Sequence, residues 1–266
     1  MFKKLNPLYI KKAFARKLRH RKIIKNFDEK KLEIEQKILF NELGLDYKKT
    51  KNILMDVYKK HPSLVVPMQS AHHNLFAALL DLNPKKIMEI GTNTGAGAAL
   101  LAILFPSAII YTLDLPDDDP VFTVSSFGIP GKELIDARSE FLSKRNNLLS
   151  EFKNIRFIQK NSTVLTFEKD VQFDFVWVDA NHEAPYVCVD TANAIRLLAD
   201  GGLFACDDIR HGNDGFNVLE QFRNAGLIGY TLIHKRTYMP ENVELAGKYI
   251  AVAKKIVNKN NESVFQ

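Results

Sequence analysis

The sequence predicts an α/β protein: a doubly wound sheet of seven mostly parallel strands with an antiparallel last strand, preceded by a helical extension. Three observations predict it. Strand-like runs from residue 86 onward alternate with helical stretches or long connections, the pattern of a parallel sheet covered on both faces. One of them, FDFVWVD at 173–179, is almost continuously apolar, as a strand buried on both faces must be. The last two, GYTLIH and YIAVAKK, are joined by about a dozen residues containing Pro240 and Gly247, which suits an antiparallel return better than a helical crossover.

The first 25 residues hold ten basic residues and no acid. Residues 1–60 carry 18 Lys and Arg against 7 Asp and Glu, and the remainder carries 19 against 24. The net charge of +6 therefore belongs to the extension, and the pI gives no ground for nucleic-acid binding by the larger, mildly acidic part. Phe2, Leu5, Leu8, Tyr9 and Phe14 interleave with the cations. Such a segment suits packing on the rest of the chain or in a homo-oligomer, attachment to an anionic membrane surface, or nucleic-acid contact. Pro7 interrupts the pattern and weighs against the membrane role, so packing is preferred.

Two polar helices are expected over 28–60, the first stopping at Gly44 and the second running from Tyr47 to His61-Pro62. SAHHNLFAALLDLN reads as a third, capped by Ser70 and closed before Pro84. The strand runs follow as KIMEI, AIIYTLD, IRFIQK, FDFVWVD, GLFACDD, GYTLIH and YIAVAKK. This divides the chain into an extension (1–64), a ligand-binding α/β domain (65–256) and a polar tail (257–266). No apolar run approaches the ~20 residues that cross a bilayer, and no secretory leader is expected. Cys188 and Cys206 form no CxxC pair and read as reduced thiols. A cytoplasmic location is expected, with the inner membrane face as the peripheral alternative.

KKIMEIGTNTGAGAALLAI, residues 85–103, places Gly91, Gly95 and Gly97 between a strand and a helix, where a ligand can approach the backbone. The dinucleotide pattern GxGxxG fails, because Asn93 and Ala96 occupy its second and third glycine positions. The triphosphate loop fails too, because Ala98 and Ala99 follow Gly97 in place of Lys and Ser or Thr. With nothing basic in the turn, an adenosine derivative without phosphates is the expected ligand. Glu89-Ile90-Gly91-Thr92-Asn93-Thr94-Gly95 resembles the first motif of the class I S-adenosylmethionine-dependent methyltransferases, a Rossmann-like family. Asp114 ends the next strand 23 residues after Gly91, where a carboxylate accepts hydrogen bonds from ribose hydroxyls. Asn161 and Ser162 stand where the family contacts the adenine. The resemblance covers about residues 65–255 and implies S-adenosylmethionine held by Glu89, Gly91, Thr92, Asn93, Gly95, Asp114, Asn161, Ser162 and Asp179.

Asp179 ends FDFVWVD, with His182 three residues on, and Asp207-Asp208 end GLFACDD. Three carboxylates at adjacent strand ends repel one another unless a positive charge lies between them, and Mg2+ with oxygen ligands is the economical choice. The pattern resembles the metal-dependent O-methyltransferases of the catechol and macrolide-sugar types. That resemblance implies Asp179, Asp207 and Asp208 as Mg2+ ligands and His182 as base. The catechol type carries Asn at the Asp208 position and a lysine base, so the chain stands nearer the sugar type. The expected activity is methyl transfer to a hydroxyl of a sugar or glycan-linked metabolite, with Mg2+ assistance.

The alternatives are a metal-independent small-molecule or RNA methyltransferase and a non-catalytic cofactor binder. RNA is disfavoured by the acidic domain and by the lack of an N-P-P-[FY] turn. Asp207-Asp208 as a helix cap and His211 as the base also stay open. His72-His73 point about 100° apart on a helix and suit a surface pair near the cofactor entrance, not a chelate. Trp177 reads as core or crevice floor, and Glu89 as a support of the glycine turn. PDDDP at 116–120 reads as a solvated turn opening the 115–154 connection, which is long enough, with SSFGIPG inside it, to form a lid.

Overall fold

The computed structural model describes residues 7–65, 70–120, 132–167, 171–240 and 243–256. Phe2, Leu5, the SSFGIPG stretch and the 257–266 tail lie outside them. The basic stretch forms α1 (Pro7–Asn26), and the polar periodic stretch forms α2 (Glu29–Glu42) and α3 (Tyr47–Lys60). Asp28 and Asp46 open the latter two by accepting the N–H groups of Lys31 and Lys48, at 3.0 and 2.9 Å. Gly44, at φ +76°, takes the left-handed position just past α2. Helix α4 (Ala71–Ala78) runs on into a 3-10 turn over Leu79–Leu82. Ser70 holds its N-cap position, yet the hydroxyl accepts no helix N–H, so the expected cap is one of position only.

All seven expected strands form: β1 (Lys86–Ile90), β2 (Ile109–Asp114), β3 (Ile155–Gln159), β4 (Phe173–Val178), β5 (Leu198–Ile209), β6 (Ile228–His234) and β7 (Tyr249–Lys255). Their order is β3-β2-β1-β4-β5-β7-β6, and only β7 runs antiparallel to its neighbours. Strand β5 starts earlier than its apolar run because Leu198 already pairs with Phe173. Helices α5 (Ala96–Leu104), α6 (Lys132–Ser150), α7 (Tyr186–Leu197) and α8 (Asp214–Asn224) complete the described set.

The sheet buries apolar side chains on both faces. Phe76, Phe175 and Trp177 pack with Phe40 and Leu54 from α2 and α3, while Met88, Val187, Phe204 and Leu219 pack on the other side. Residues 29–60 thus share the core of the sheet. Gln36, fully buried on α2, also seals the edge of β6: its amide donates to the carbonyl of His234 at 3.0 Å and accepts that residue's N–H at 2.9 Å. Connections leave β1 and β4 in opposite directions, which opens a crevice at their C-terminal ends. Gly91 and Asp179 follow those two strands directly, and the Asp179 N–H donates to the carbonyl of Ile90 at 2.8 Å.

Candidate active site

The glycine turn makes room first for the protein itself. Gly91 lies at φ +105°, and a Cβ there would collide with the backbone carbonyl of Asp179. A Cβ on Gly97 would collide with Oε1 of Glu89. Glu89 is buried beneath the turn and accepts from Thr112 Oγ1 at 2.5 Å, and Thr112 in turn bonds Thr92 Oγ1 at 2.6 Å. Burial pushes the Glu89 carboxyl up to about 8, against the lowering effect of that hydrogen bond. Gly95, at φ +81°, is the N-cap of α5 and faces Leu149. Glu89, Thr92 and Gly95, expected at the cofactor, are therefore supports of the turn and do not line the cavity.

The cavity beside the turn has a volume of about 610 Å³, within the range of small-molecule sites. Gly91, Asn93, Asp114, Asn161, Ser162 and Asp179 all line it. Asp114 accepts the N–H groups of Asn93 and Leu115 at 2.8 and 2.9 Å, which fixes its carboxylate at the end of β2. Burial raises its pKa, and those two N–H groups work in the opposite direction. The Asn161 Oδ1 atom accepts from the backbone N–H and hydroxyl of Thr163, which holds the turn after β3. PDDDP is more than a solvated turn. Its Asp117 pairs at 2.5 Å with Arg145, a fully buried cation whose guanidinium lies 4.6 Å from the ring of Phe157.

Sequence reasoning missed Asp190. It is 1% exposed, lines the same cavity, and neither carboxylate oxygen has a hydrogen-bond partner. Burial raises its pKa to about 6. The signal was its spacing: Asp190 stands one helical turn after Tyr186, another lining residue. These acids, amides and the buried unpartnered carboxylate fit an adenosyl amino-acid cofactor.

The acidic cluster holds its own cations. Lys235, just past β6, donates to Asp207 Oδ2 and to Asp208 Oδ1, the latter at 2.5 Å, and Lys248 donates to Asp208 Oδ2. Neighbouring residues of a regular strand point to opposite faces. A register shift between Cys206 and Ile209, with Asp208 at φ +56°, lets one ammonium reach both acids. Burial raises the pKa of Asp208, but Lys235 and Lys248 outweigh it and bring the carboxyl down to about 2. Asp179 goes the other way, raised by burial and by the charge of Asp207. Among the described residues no group of three or more metal-ligating side chains is arranged for an ion. The expected Mg2+ ligands Asp179, Asp207 and Asp208 converge, yet two lysines supply the positive charge that the argument for Mg2+ required. The donor set as folded does not fit a divalent ion.

His182 Nε2 lies 3.5 Å from Asp179 Oδ1 and 3.8 Å from Asp208 Oδ2. Burial lowers its pKa, with Asp208 and Asp207 opposing, so the ring is neutral at pH 7. His211 instead packs edge-on against Phe216 and Tyr249. Helix α8 is capped by Asn213, which accepts the Phe216 N–H at 3.0 Å, so Asp207-Asp208 are not its cap. His72-His73 are not a surface pair: His72 stacks on the buried Trp177, and His73, 4% exposed, bonds the Tyr58 hydroxyl at 2.5 Å. Burial lowers both, His73 to about 4.

A family model described as a methyltransferase domain matches residues 88–209. Among curated proteins, the phthiotriol/phenolphthiotriol dimycocerosates methyltransferase of Mycobacterium tuberculosis is 27% identical over 168 residues, covering 59% of this chain and 53% of that protein. The fatty-acid O-methyltransferase of Mycolicibacterium smegmatis is 27% identical over 163 residues, covering 58% and 51%. The chain spans about half the length of these curated relatives. The sheet order, the turn after β1 and the matched domain define a class I methyltransferase fold. These matches support a class I S-adenosylmethionine-dependent methyltransferase. Similar solved structures include the O-methyltransferase TomG from Streptomyces achromogenes in complex with SAM, at 16% identity and TM-score 0.46 over 83% of this chain and 95% of that one. An O-methyltransferase from Bacillus cereus in complex with SAH gives 16% and 0.46 over 78% and 91%.

Proposed function

We propose that the protein transfers a methyl group from S-adenosylmethionine to an oxygen of a small acceptor, with His182 taking the acceptor's proton and no divalent ion required. The observation that carries this reading is the position of His182. Its neutral ring stands between Asp179, which lines the cofactor cavity, and Asp208, which Lys235 and Lys248 neutralise. The cofactor, when bound, supplies an electrophilic methyl on a sulfonium. The chain's part is to hold the acceptor oxygen in line and remove its proton. His182 is suited to receive that proton, because burial lowers its pKa and leaves a ring lone pair free at neutral pH. Lys235 adds positive charge where negative charge grows on the acceptor oxygen.

The resemblance of Asp179 and His182 to the macrolide-sugar O-methyltransferases supports a hydroxyl on a sugar or glycan-linked metabolite. The named mycobacterial relatives support a lipid acceptor. For the extension we favour a contact with a second subunit, with an anionic membrane surface as the alternative, since Phe14, Leu18 and Ile24 of α1 are exposed. No helix among the described residues is long and apolar enough to cross a membrane. The test is release of S-adenosylhomocysteine from full-length protein offered sugar and lipid acceptors, with and without EDTA. Turnover abolished by EDTA and restored by Mg2+ would overturn the metal-free reading. Failure of the protein to bind S-adenosylhomocysteine would overturn the assignment itself.

A further inference from the structure

A second cavity, of about 340 Å³, is lined by residues of α2, α3, the start of α4 and the Lys235–Tyr238 segment. Lys235 links it to the first: it lines this cavity, and its ammonium holds Asp207 and Asp208, next to His182 and Asp179. One wall is apolar and comes from α3, through Leu54, Met55 and Tyr58. The other is cationic. Lys51 is matched by Glu33 at 2.7 Å, and Lys235 by the two aspartates. Arg236 has no carboxylate partner among the described residues. It is 8% exposed, its guanidinium interacts with the Tyr238 hydroxyl, and its Nε and Nη1 have no hydrogen-bond partner. Ser70, 4% exposed and lining the same cavity, likewise leaves its hydroxyl unpartnered. The Ala71 N–H, donating to the Lys235 carbonyl at 2.9 Å, ties the Ser70 segment to the Lys235-Arg236 segment. His72 and His73 are held neutral and add no charge.

A buried guanidinium with two idle donors is costly unless something fills them, and its planar fork matches an oxyanion. We propose that this cavity is the acceptor site and that Arg236, with Ser70, anchors an anionic group of the acceptor, a carboxylate or a phosphate, while its apolar part lies along α3. The proposal rests on the methyltransferase reading for the word acceptor, but the anion site itself does not. The acceptor class becomes an amphiphilic acid or phosphorylated alcohol whose methylated oxygen lies at the Lys235 end of the cavity.

The test is calorimetric titration of the full chain, saturated with S-adenosylhomocysteine, with octanoate, inorganic phosphate and octanol in separate runs. Octanoate or phosphate is expected to bind, the first marking a carboxylate acceptor and the second a phosphoryl acceptor. Arg236→Gln is expected to weaken that binding about tenfold or more, and Ser70→Ala by a smaller factor. Arg236→Lys keeps the charge without the fork and serves if the glutamine variant does not fold, with a loss of severalfold expected. Octanol binding as tightly as octanoate, no binding of either anion, or anion binding unchanged in the variants would each overturn the proposal. S-adenosylhomocysteine affinity, titrated first, separates this result from the methyltransferase reading. It is expected to be the same in all variants, and its absence in wild type sinks that reading without touching the anion site.

Discussion

The ammonium of Lys235 stands 2.5 Å from Oδ1 of Asp208 while also bonding Asp207, so the residue that settles the charge of the acidic cluster comes from the segment just past β6. Lys235 is only 10% exposed at its side chain, and its pKa is raised: burial lowers it, but Asp207 and Asp208 outweigh burial. Removing one partner of a buried pair leaves the other charges uncompensated, at about 3–5 kcal/mol. Lys235→Met should lower stability by an amount of that order in urea unfolding. It should also create what the wild type lacks, a rise in melting temperature on adding millimolar Mg2+. Wild type melting is expected to ignore Mg2+ and EDTA. If the wild type already gains stability from Mg2+, the lysine is not the resident counterion.

For His182 the prediction concerns pH. Its pKa lies below the ordinary 6.5, so the basic form predominates at pH 7 and is lost as the pH falls through the lowered value. The acid limb of the turnover profile should have a midpoint below 6.5. His182→Ala should reduce kcat by about 10²–10⁴. Its affinity for S-adenosylhomocysteine should match wild type, because the ring is not placed to hold the cofactor. A variant retaining full kcat would remove the proton-acceptor role.

The sheet was legible because each strand carries its own signature, such as the unbroken FDFVWV of β4 and the tight spacing of β6 and β7. The glycine turn was legible as a place of close approach. What approaches Gly91 and Gly97, however, is the Asp179 carbonyl and the Glu89 carboxylate, which spacing alone does not distinguish from a ligand. The acids of the site were legible as strand ends. Their counterions were not, since Lys235 and Lys248 follow Asp208 by 27 and 40 residues and meet it only through the β5-β7-β6 order. Nor does CysAspAspIle announce the left-handed φ at Asp208 that brings both acids to one lysine. His72 looked like a surface residue by type and became a stacking partner of Trp177 because it stands one helical turn before Phe76, which packs edge-on against the same indole.

Asp190 should make cofactor binding sensitive to pH. With both oxygens buried and unpartnered, its ionised form gains most from a ligand that donates hydrogen bonds, and its pKa is about 6 before the ligand arrives. Binding then favours the ionised carboxylate and releases protons at pH values just below 6. S-adenosylhomocysteine affinity should fall as the pH drops through that region, and calorimetry in two buffers of different ionisation enthalpy should register the release. Asp190→Asn should abolish both effects. Proton release unchanged in that variant would place the titrating group elsewhere.

Glu89 yields a stability prediction whose sign follows from its burial. Its folded-state pKa is raised from 4.5 to about 8, with burial the largest cause, so the native protein carries a proton there that the unfolded chain gives up above 4.5. The resulting stability is fully present below pH 4.5 and is lost as the pH rises through 8. Glu89→Gln supplies a permanent neutral acceptor for Thr112 Oγ1, which now donates to Oε2 at 2.5 Å, and leaves nothing to ionise. The glutamine variant should therefore overtake wild type on the alkaline side, its urea midpoint staying flat between pH 5 and pH 9, roughly the window set by this linkage, while that of wild type declines. Gly97→Ala tests the same pocket from the other wall, since its Cβ would press on Oε1 of Glu89. It should cost about 1–3 kcal/mol by overpacking. Parallel pH slopes for wild type and Glu89→Gln would show that the carboxyl is ionised in the native state, and the buried Glu89-Thr112-Thr92 chain would then have to hold a charge instead of a proton.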